Sequence, residues 1–135
     1  MVACMPRLFA VVATVTAAIA IAPAYAQVLL VVDGTNNSVI REFDATTGAS
    51  INANFITGLN VAYGLAVDDK LRLFVSNGGS GGPSGSVGLY DAVTGSPINA
   101  AWVTGLVYPG GLVTDSNDHL LVMNWPAPRK LSQVL

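Results

Sequence analysis

Asp44-Ala45-Thr46-Thr47-Gly48-Ala49-Ser50-Ile51-Asn52-Ala53-Asn54-Phe55-Ile56-Thr57-Gly58-Leu59 returns forty-seven residues later as Asp91-Ala92-Val93-Thr94-Gly95-Ser96-Pro97-Ile98-Asn99-Ala100-Ala101-Trp102-Val103-Thr104-Gly105-Leu106. Ten of the sixteen positions are identical, and Phe55/Trp102 and Ile56/Val103 are like for like. The same offset carries Gly64-Leu65 onto Gly111-Leu112, Asp68 onto Asp115, and Leu73 to Asn77 onto Leu120 to Asn124. A constant offset over so many positions marks a tandem repeat. Each unit is then a small motif that buries its apolar face only by stacking on its neighbours.

One period breaks into four short apolar runs separated by turn residues. Gly64–Asp68 is the first expected strand, ended by a turn at Asp69-Lys70. Leu71–Ser76 is the second, with Leu71, Leu73 and Val75 alternating with Arg72 and Phe74. The Gly-rich loop Asn77–Gly85 leads to a third strand, Ser86–Tyr90. The turn Asp91–Gly95 leads to a fourth, Pro97–Val103. In that turn an Asp carboxylate accepts from amides two residues on and Gly95 supplies a positive φ; Asp44 and Gly48 repeat the arrangement one period earlier. Turn chemistry accounts for these Asp and Gly residues, so they are read as structural.

Four antiparallel strands per unit is the blade pattern of a β-propeller. Tyr63-Gly64-Leu65-Ala66-Val67-Asp68, Leu73-Phe74-Val75-Ser76-Asn77 and Val87-Gly88-Leu89-Tyr90-Asp91 together resemble the NHL-type repeat. The likeness covers residues 28–124 and looks most like exported bacterial proteins with long runs of such repeats. It implies an all-β fold of four-stranded blades and implies little about activity, because the motif consists of strand and turn residues. The blades expected are a partial one over 28–59, a full one over 60–106 and a partial one over 107–124. The tail 125–135 departs from the repeat. About two and a third repeats fall short of the roughly four to eight blades of a closed ring. The expectation is an incomplete ring: part of a longer propeller, or a ring completed by further copies.

Upstream of the repeats lies an export signal. Arg7 gives a positive n-region, Leu8 to Ala22 an apolar stretch, Pro23 a helix break, and Ala24-Tyr25-Ala26 the small residues read before cleavage at Gln27. Cys4 precedes the apolar stretch, so a lipoprotein anchor is not expected. Assigning Val28–Val32 to a strand argues against one long membrane span from Leu8 to Val32. The expected location is periplasmic, cell-surface or extracellular. Residues 27–135 carry five basic and eight acidic side chains. That balance, with no basic cluster, excludes nucleic acid as a partner. The chain's single cysteine falls in the signal segment, which excludes a disulfide scaffold or a thiol active site in the mature chain.

Catalytic motifs are weak. Gly78-Gly79-Ser80-Gly81-Gly82 formally matches a nucleophile elbow, with Asp91 and His119 following in triad order. An elbow turns from a strand into a helix, however, and here a strand follows. His119 sits in the turn Asp115–His119, with no partner evident from the sequence. Asp115-x-Asn117 starts like a calcium loop, but Leu120 stands where Gly is required and Pro126 where the bidentate Glu belongs.

A binding face is the better candidate. In a propeller, the loops after the second and fourth strands emerge on one side, around the channel. Asp33, Asn77 and Asn124 end successive second strands, and Tyr63 and Tyr108 are placed in loops following fourth strands. These five form the expected rim, suited by hydrogen bonding and oxygen ligation to a sugar or to a divalent cation such as calcium. The distant resemblance to gluconolactonase-type six-bladed propellers implies a channel metal held by Asn, Asp and Glu, but no acidic residue here matches those ligands individually. No cofactor is therefore assigned. The first functional reading is an exported, non-enzymatic binding or structural protein with a protein or carbohydrate ligand on its loop face. The second is a metal-dependent lactonase- or lyase-like enzyme whose catalytic residues lie in other blades. The third is a surface-assembly subunit that pairs with itself through open strand edges.

Overall fold

A computed structural model describes residues 27–34, 38–80 and 82–125. Residues 1–26, where an export signal is expected, and the tail beyond Trp125 lie outside the described residues. The described residues form nine strands: β1 (Val28–Asp33), β2 (Ser38–Asp44), β3 (Ser50–Leu59), β4 (Ala62–Val67), β5 (Arg72–Asn77), β6 (Gly85–Asp91), β7 (Pro97–Leu106), β8 (Pro109–Thr114) and β9 (Leu120–Asn124). A 3₁₀ turn, Gly82–Ser84, precedes β6. The strands make three open antiparallel sheets ordered β1-β2-β3, β4-β5-β6-β7 and β8-β9. The all-β expectation holds, and the four-stranded meander spans the period from which it was read.

The repeat extends to the hydrogen-bond register. Ser38↔Leu59, Ile40↔Ile56, Glu42↔Asn52 and Phe43↔Ser50 in β2–β3 return forty-seven residues later as Gly85↔Leu106, Val87↔Val103, Leu89↔Asn99 and Tyr90↔Pro97 in β6–β7. Leu65↔Val75 and Val67↔Leu73 return as Leu112↔Val122 and Thr114↔Leu120. The register shifts recur as well, so each bulge belongs to the repeat rather than to one copy.

The turns explain why these segments reverse where they do. Asp44 Oδ1 accepts the amides of Thr46 and Thr47 at 2.8 and 2.7 Å, and Asp91 Oδ1 accepts those of Val93 and Thr94 at 2.9 and 2.8 Å. Gly48 and Gly95 close these turns at φ 72° and 71°. Left-handed backbone also falls on residues with side chains, at Val61 and Tyr108 and again at Leu71 and Asp118. Each of these is a pair forty-seven residues apart. Leu71 is thus a turn residue rather than the start of the second strand, and β5 begins at Arg72.

Both faces of the inner strands of the middle sheet, β5 and β6, are covered, while β7 is largely exposed. Leu73, Val75 and Tyr90 pack on one side with Ile40, Phe55, Ile56, Leu59 and Ala62. Phe74, Val87 and Leu89 pack on the other, against Val103, Leu106, Leu112, Leu120 and Val122. Alternation in β5 therefore separates two cores instead of a core from solvent, and Leu73 through Asn77 are all buried. Truncating Leu73, which has no exposed surface, would cost about 2–5 kcal/mol. Trp102, the counterpart of buried Phe55, lies 5.3 Å from the Phe74 ring centroid yet is 44% exposed. Phe55 owes its burial to the next sheet, whose Gly95 turn comes so close that a Cβ there would sit 2.5 Å from the Phe55 carbonyl oxygen.

Neighbouring sheets meet along their first strands. A Cβ on Gly64 of β4 would lie 2.5 Å from the Gly110 carbonyl and 3.2 Å from Gly111 Cα of β8. Ser76 Oγ joins the two, accepting from Gly64 N at 2.8 Å and donating to Gly110 O at 2.7 Å.

Candidate functional site

Short contacts bring Asp33, Asn77 and Asn124 to the same end of the three sheets. Asp33 pairs with Val39, next to Ser38, and Ser38 Oγ accepts the amide of Ala62 at 2.9 Å. Ala62 pairs with Asn77, and Asn77 with Ser86. Adjacent Gly85 packs against Pro109, the partner of Asn124.

The three ends are chemically unlike. Asp33 forms a 2.7 Å ion pair with Arg41. Asn124 Oδ1 accepts the Val107 amide at 2.8 Å. Asn77 is 8% exposed, and its buried Oδ1 has no hydrogen-bond partner. Tyr63 lies within β4 rather than in a loop and is 57% exposed, whereas Tyr108 directly precedes β8. Tyr63 and Tyr108 are not repeat counterparts of each other.

A reciprocal aromatic–glycine contact involves Tyr63 instead. Tyr63 lies so close over Gly78 that a Cβ there would be 2.7 Å from its ring. One period later the residue types exchange: a Cβ on Gly110 would be 3.4 Å from Trp125 Nε1. Gly110 is the counterpart of Tyr63, and Trp125 that of Gly78. The exchange is written in the sequence but becomes a signal only once the β4–β5 pairing is known.

The turns between first and second strands form a second polar group. Asp68 Oδ1 accepts the amides of Lys70 and Arg72 at 3.0 and 2.8 Å, and Arg72 Nε donates to its Oδ2 at 2.5 Å. Asp115 Oδ1 accepts those of Asn117 and His119 at 2.8 and 2.9 Å, with His119 Nδ1 2.8 Å from its Oδ2. His119 therefore has a partner, and it occupies the position of Arg72 in a repeated turn. Burial pushes the Asp68 carboxyl up, but hydrogen bonds and charge from Arg72 outweigh it and hold the group below its ordinary value. Hydrogen bonds from His119 lower Asp115 in the same way.

Asp68, Asp69 and Asp118 bring carboxylate oxygens within 4.8 Å of one another, the spacing of a cation site. Lys70 Nζ, however, donates to Asp118 Oδ2. That bond lowers Asp118 and raises Lys70, so the cluster carries its own counter-charge.

Two concavities border these elements. An open apolar groove of about 840 Å³ runs between Val28, Leu30 and Glu42 on one sheet and Leu65, Leu71 and Val93 on the next. A smaller polar pocket of about 210 Å³ opens where β3 ends against the loop after β5. Among the described residues, no helix is long and apolar enough to cross a membrane.

No family model matches the chain, and no curated protein matches it.

Proposed function

We propose that this protein is an exported binding scaffold built from NHL-like propeller blades, belonging to a larger ring and without catalytic machinery in these repeats. One observation carries the reading. The inner strands of the middle sheet, β5 and β6, are covered on both faces by sheets that repeat its register at an offset of forty-seven residues. Radial stacking of blades requires such covering, and repeat scaffolds of this kind bind through their loop faces.

The chemistry of the turns supports the non-enzymatic part. Asp44, Asp91, Asp68 and Asp115 are each engaged by turn amides, and His119 repeats the structural place of Arg72. The test combines lactone hydrolysis, with and without calcium, magnesium or zinc, with binding to glycan and peptide arrays. The expected result is saturable array binding without turnover. Metal-dependent hydrolysis lost in Asn77→Ala and Asn124→Ala would overturn this reading in favour of a lactonase-like enzyme.

One observation favours self-association as a second reading. Among the described residues β1 is an edge strand with Val28, Leu29 and Val31 exposed, and unpaired apolar edges recruit further strands. Its sequence Leu29-Leu30-Val31-Val32-Asp33 is nearly that of β9, Leu120-Leu121-Val122-Met123-Asn124, which already pairs with β8. A β8 strand from a second copy, exchanging its own β9 for β1, would find the same side chains there. Cysteines at Val31 and Leu112 should then crosslink between chains, in an oligomer seen by native mass spectrometry. A monomer at every concentration would remove this reading.

A further inference from the structure

We propose that the polar pocket at the end of β5 binds an uncharged sugar ring, with Asn77 as its buried hydrogen-bonding group and Tyr63 as its stacking surface. The pocket lies between the end of β3 and the loop after β5, and Asn60, Asn77, Ser84, Ser86 and Tyr90 contribute to its wall. Its volume of about 210 Å³ lies below the ~300–1,000 Å³ typical of drug-sized ligands and suits one monosaccharide unit.

Asn77 supplies the main argument. Buried polar atoms are nearly always hydrogen-bonded, and each exception needs a physical explanation. Asn124, its counterpart, places Oδ1 on the Val107 amide. In the Asn77 copy, the amides of Gly78 and Gly79 bind the carbonyls of Val61 and Asn60, and Asn77, a residue of the pocket wall, keeps its buried Oδ1 without a partner. The loop responsible is specific to this copy. It is three residues longer than the one between β1 and β2, and its Gly79 takes a left-handed φ of 67°.

The ligand class follows from the lining. Among the described residues no charged side chain contributes to the wall, so an ion would lose hydration without an opposite charge to replace it. A hydroxyl both donates and accepts, and it satisfies the Asn77 amide in either orientation. Beside the pocket, the exposed Tyr63 ring lies over Gly78, whose chain neighbours Asn77 and Gly79 both line the cavity. An apolar ring face next to a buried amide and serine hydroxyls matches the apolar face and hydroxyl edge of a pyranose. This site deepens the binding-scaffold reading and rests on it.

The test is a titration of the ¹⁵N-labelled protein with glucose, galactose and N-acetylglucosamine, with tetramethylammonium as the charged comparison. Saturable amide shifts are expected at Gly78, Gly79 and Ser86 with at least one sugar. Affinity should fall about tenfold in Asn77→Ala and in Tyr63→Ala, and stay unchanged in Asn124→Ala. Asn77→Ala should keep a melting temperature near the parent's, because the buried Oδ1 that it removes has no partner; Ser86→Ala gives an independent variant of the same wall. Sugar shifts centred on Trp125 or Tyr108 would overturn this site and leave the scaffold reading standing. Absence of saturable shifts, equal affinity in Asn77→Ala, or a preference for tetramethylammonium would each overturn the proposal. The array and hydrolysis measurements judge the scaffold reading separately.

Discussion

The buried hydroxyl of Ser38 accepts the amide hydrogen of Ala62 at 2.9 Å, tying the first sheet to the middle one. One period later the same two places are held by Gly85 and Pro109. Proline has no N–H to offer, and its ring fills the space instead: a Cβ on Gly85 would lie 2.4 Å from Pro109 Cδ. The two contacts are alternative solutions to one junction. Ser38→Ala should therefore destabilise the fold by about 1–3 kcal/mol, leaving the Ala62 amide buried and unbonded. Gly85→Ser should also destabilise, by overpacking. Urea unfolding of both variants checks the pair, and a neutral Gly85→Ser would contradict the junction as described.

Close approach of β4 to β8 gives a prediction with a built-in control. Gly64→Ala would drive a Cβ to 2.5 Å from the Gly110 carbonyl oxygen, while a Cβ at Gly111, its repeat counterpart, meets nothing within 4 Å. Overpacking should cost Gly64→Ala about 1–3 kcal/mol and leave Gly111→Ala near the parent. Comparing their thermal melts is sufficient. Equal stability of the two variants would mean that the middle and third sheets are not held in contact.

Leu71 holds φ 59° with 56% of its surface exposed, a conformation that costs an L-residue roughly 1–2 kcal/mol. Its counterpart Asp118 belongs to a residue type that tolerates that region better. Leu71→Asn should raise stability by about 0.5–1 kcal/mol, read as a higher urea midpoint at unchanged slope. A loss would mean that the side chain's contact with the apolar groove outweighs the relieved strain.

Acid should unfold the protein through its turns. Asp44, Asp68, Asp91, Asp115 and Asp118 all titrate below the ordinary 3.8. For a carboxyl depressed in the folded state, the stabilisation is complete above the unfolded value and lost as pH falls through the folded one. The melting temperature should thus stay level from neutral pH to about 5 and drop steeply below 3.8. Asp68→Asn should lower it more than Asp115→Asn at pH 7, since the Asp68 side chain is 3% exposed and that of Asp115 37%. A melting curve independent of pH between 5 and 2 would rule out the turn carboxylates as the acid-labile elements.

Much of the architecture was legible because the repeat was. Asp44/Asp91 and Gly48/Gly95 named the turns by chemistry that acts over three or four residues, and the strands between them followed. The left-handed positions were less legible, since Val61, Leu71 and Tyr108 are types that local preference places elsewhere. They adopt positive φ because a turn of fixed length must join strands whose register is set by the cores. Among the residues expected to form a binding rim, sequence position placed Asp33, Asn77 and Asn124 at equivalent strand ends. It did not show that Arg41 engages the first, that Val107 engages the third, or that the second is left without a partner.

By itself, then, the sequence determined the period, the four runs of each unit, the turns and the β class, all of which depend on interactions between near neighbours along the chain. Only the tertiary structure decided that β5 is buried on both faces, that His119 stands in for Arg72, that Gly85 answers Pro109, and that a three-residue longer loop leaves Asn77 buried beside a polar pocket. Those outcomes depend on which strands of different units lie against one another. Two occurrences of a similar motif acquire different chemistry when their neighbours differ, and the neighbours are set by packing across sheets.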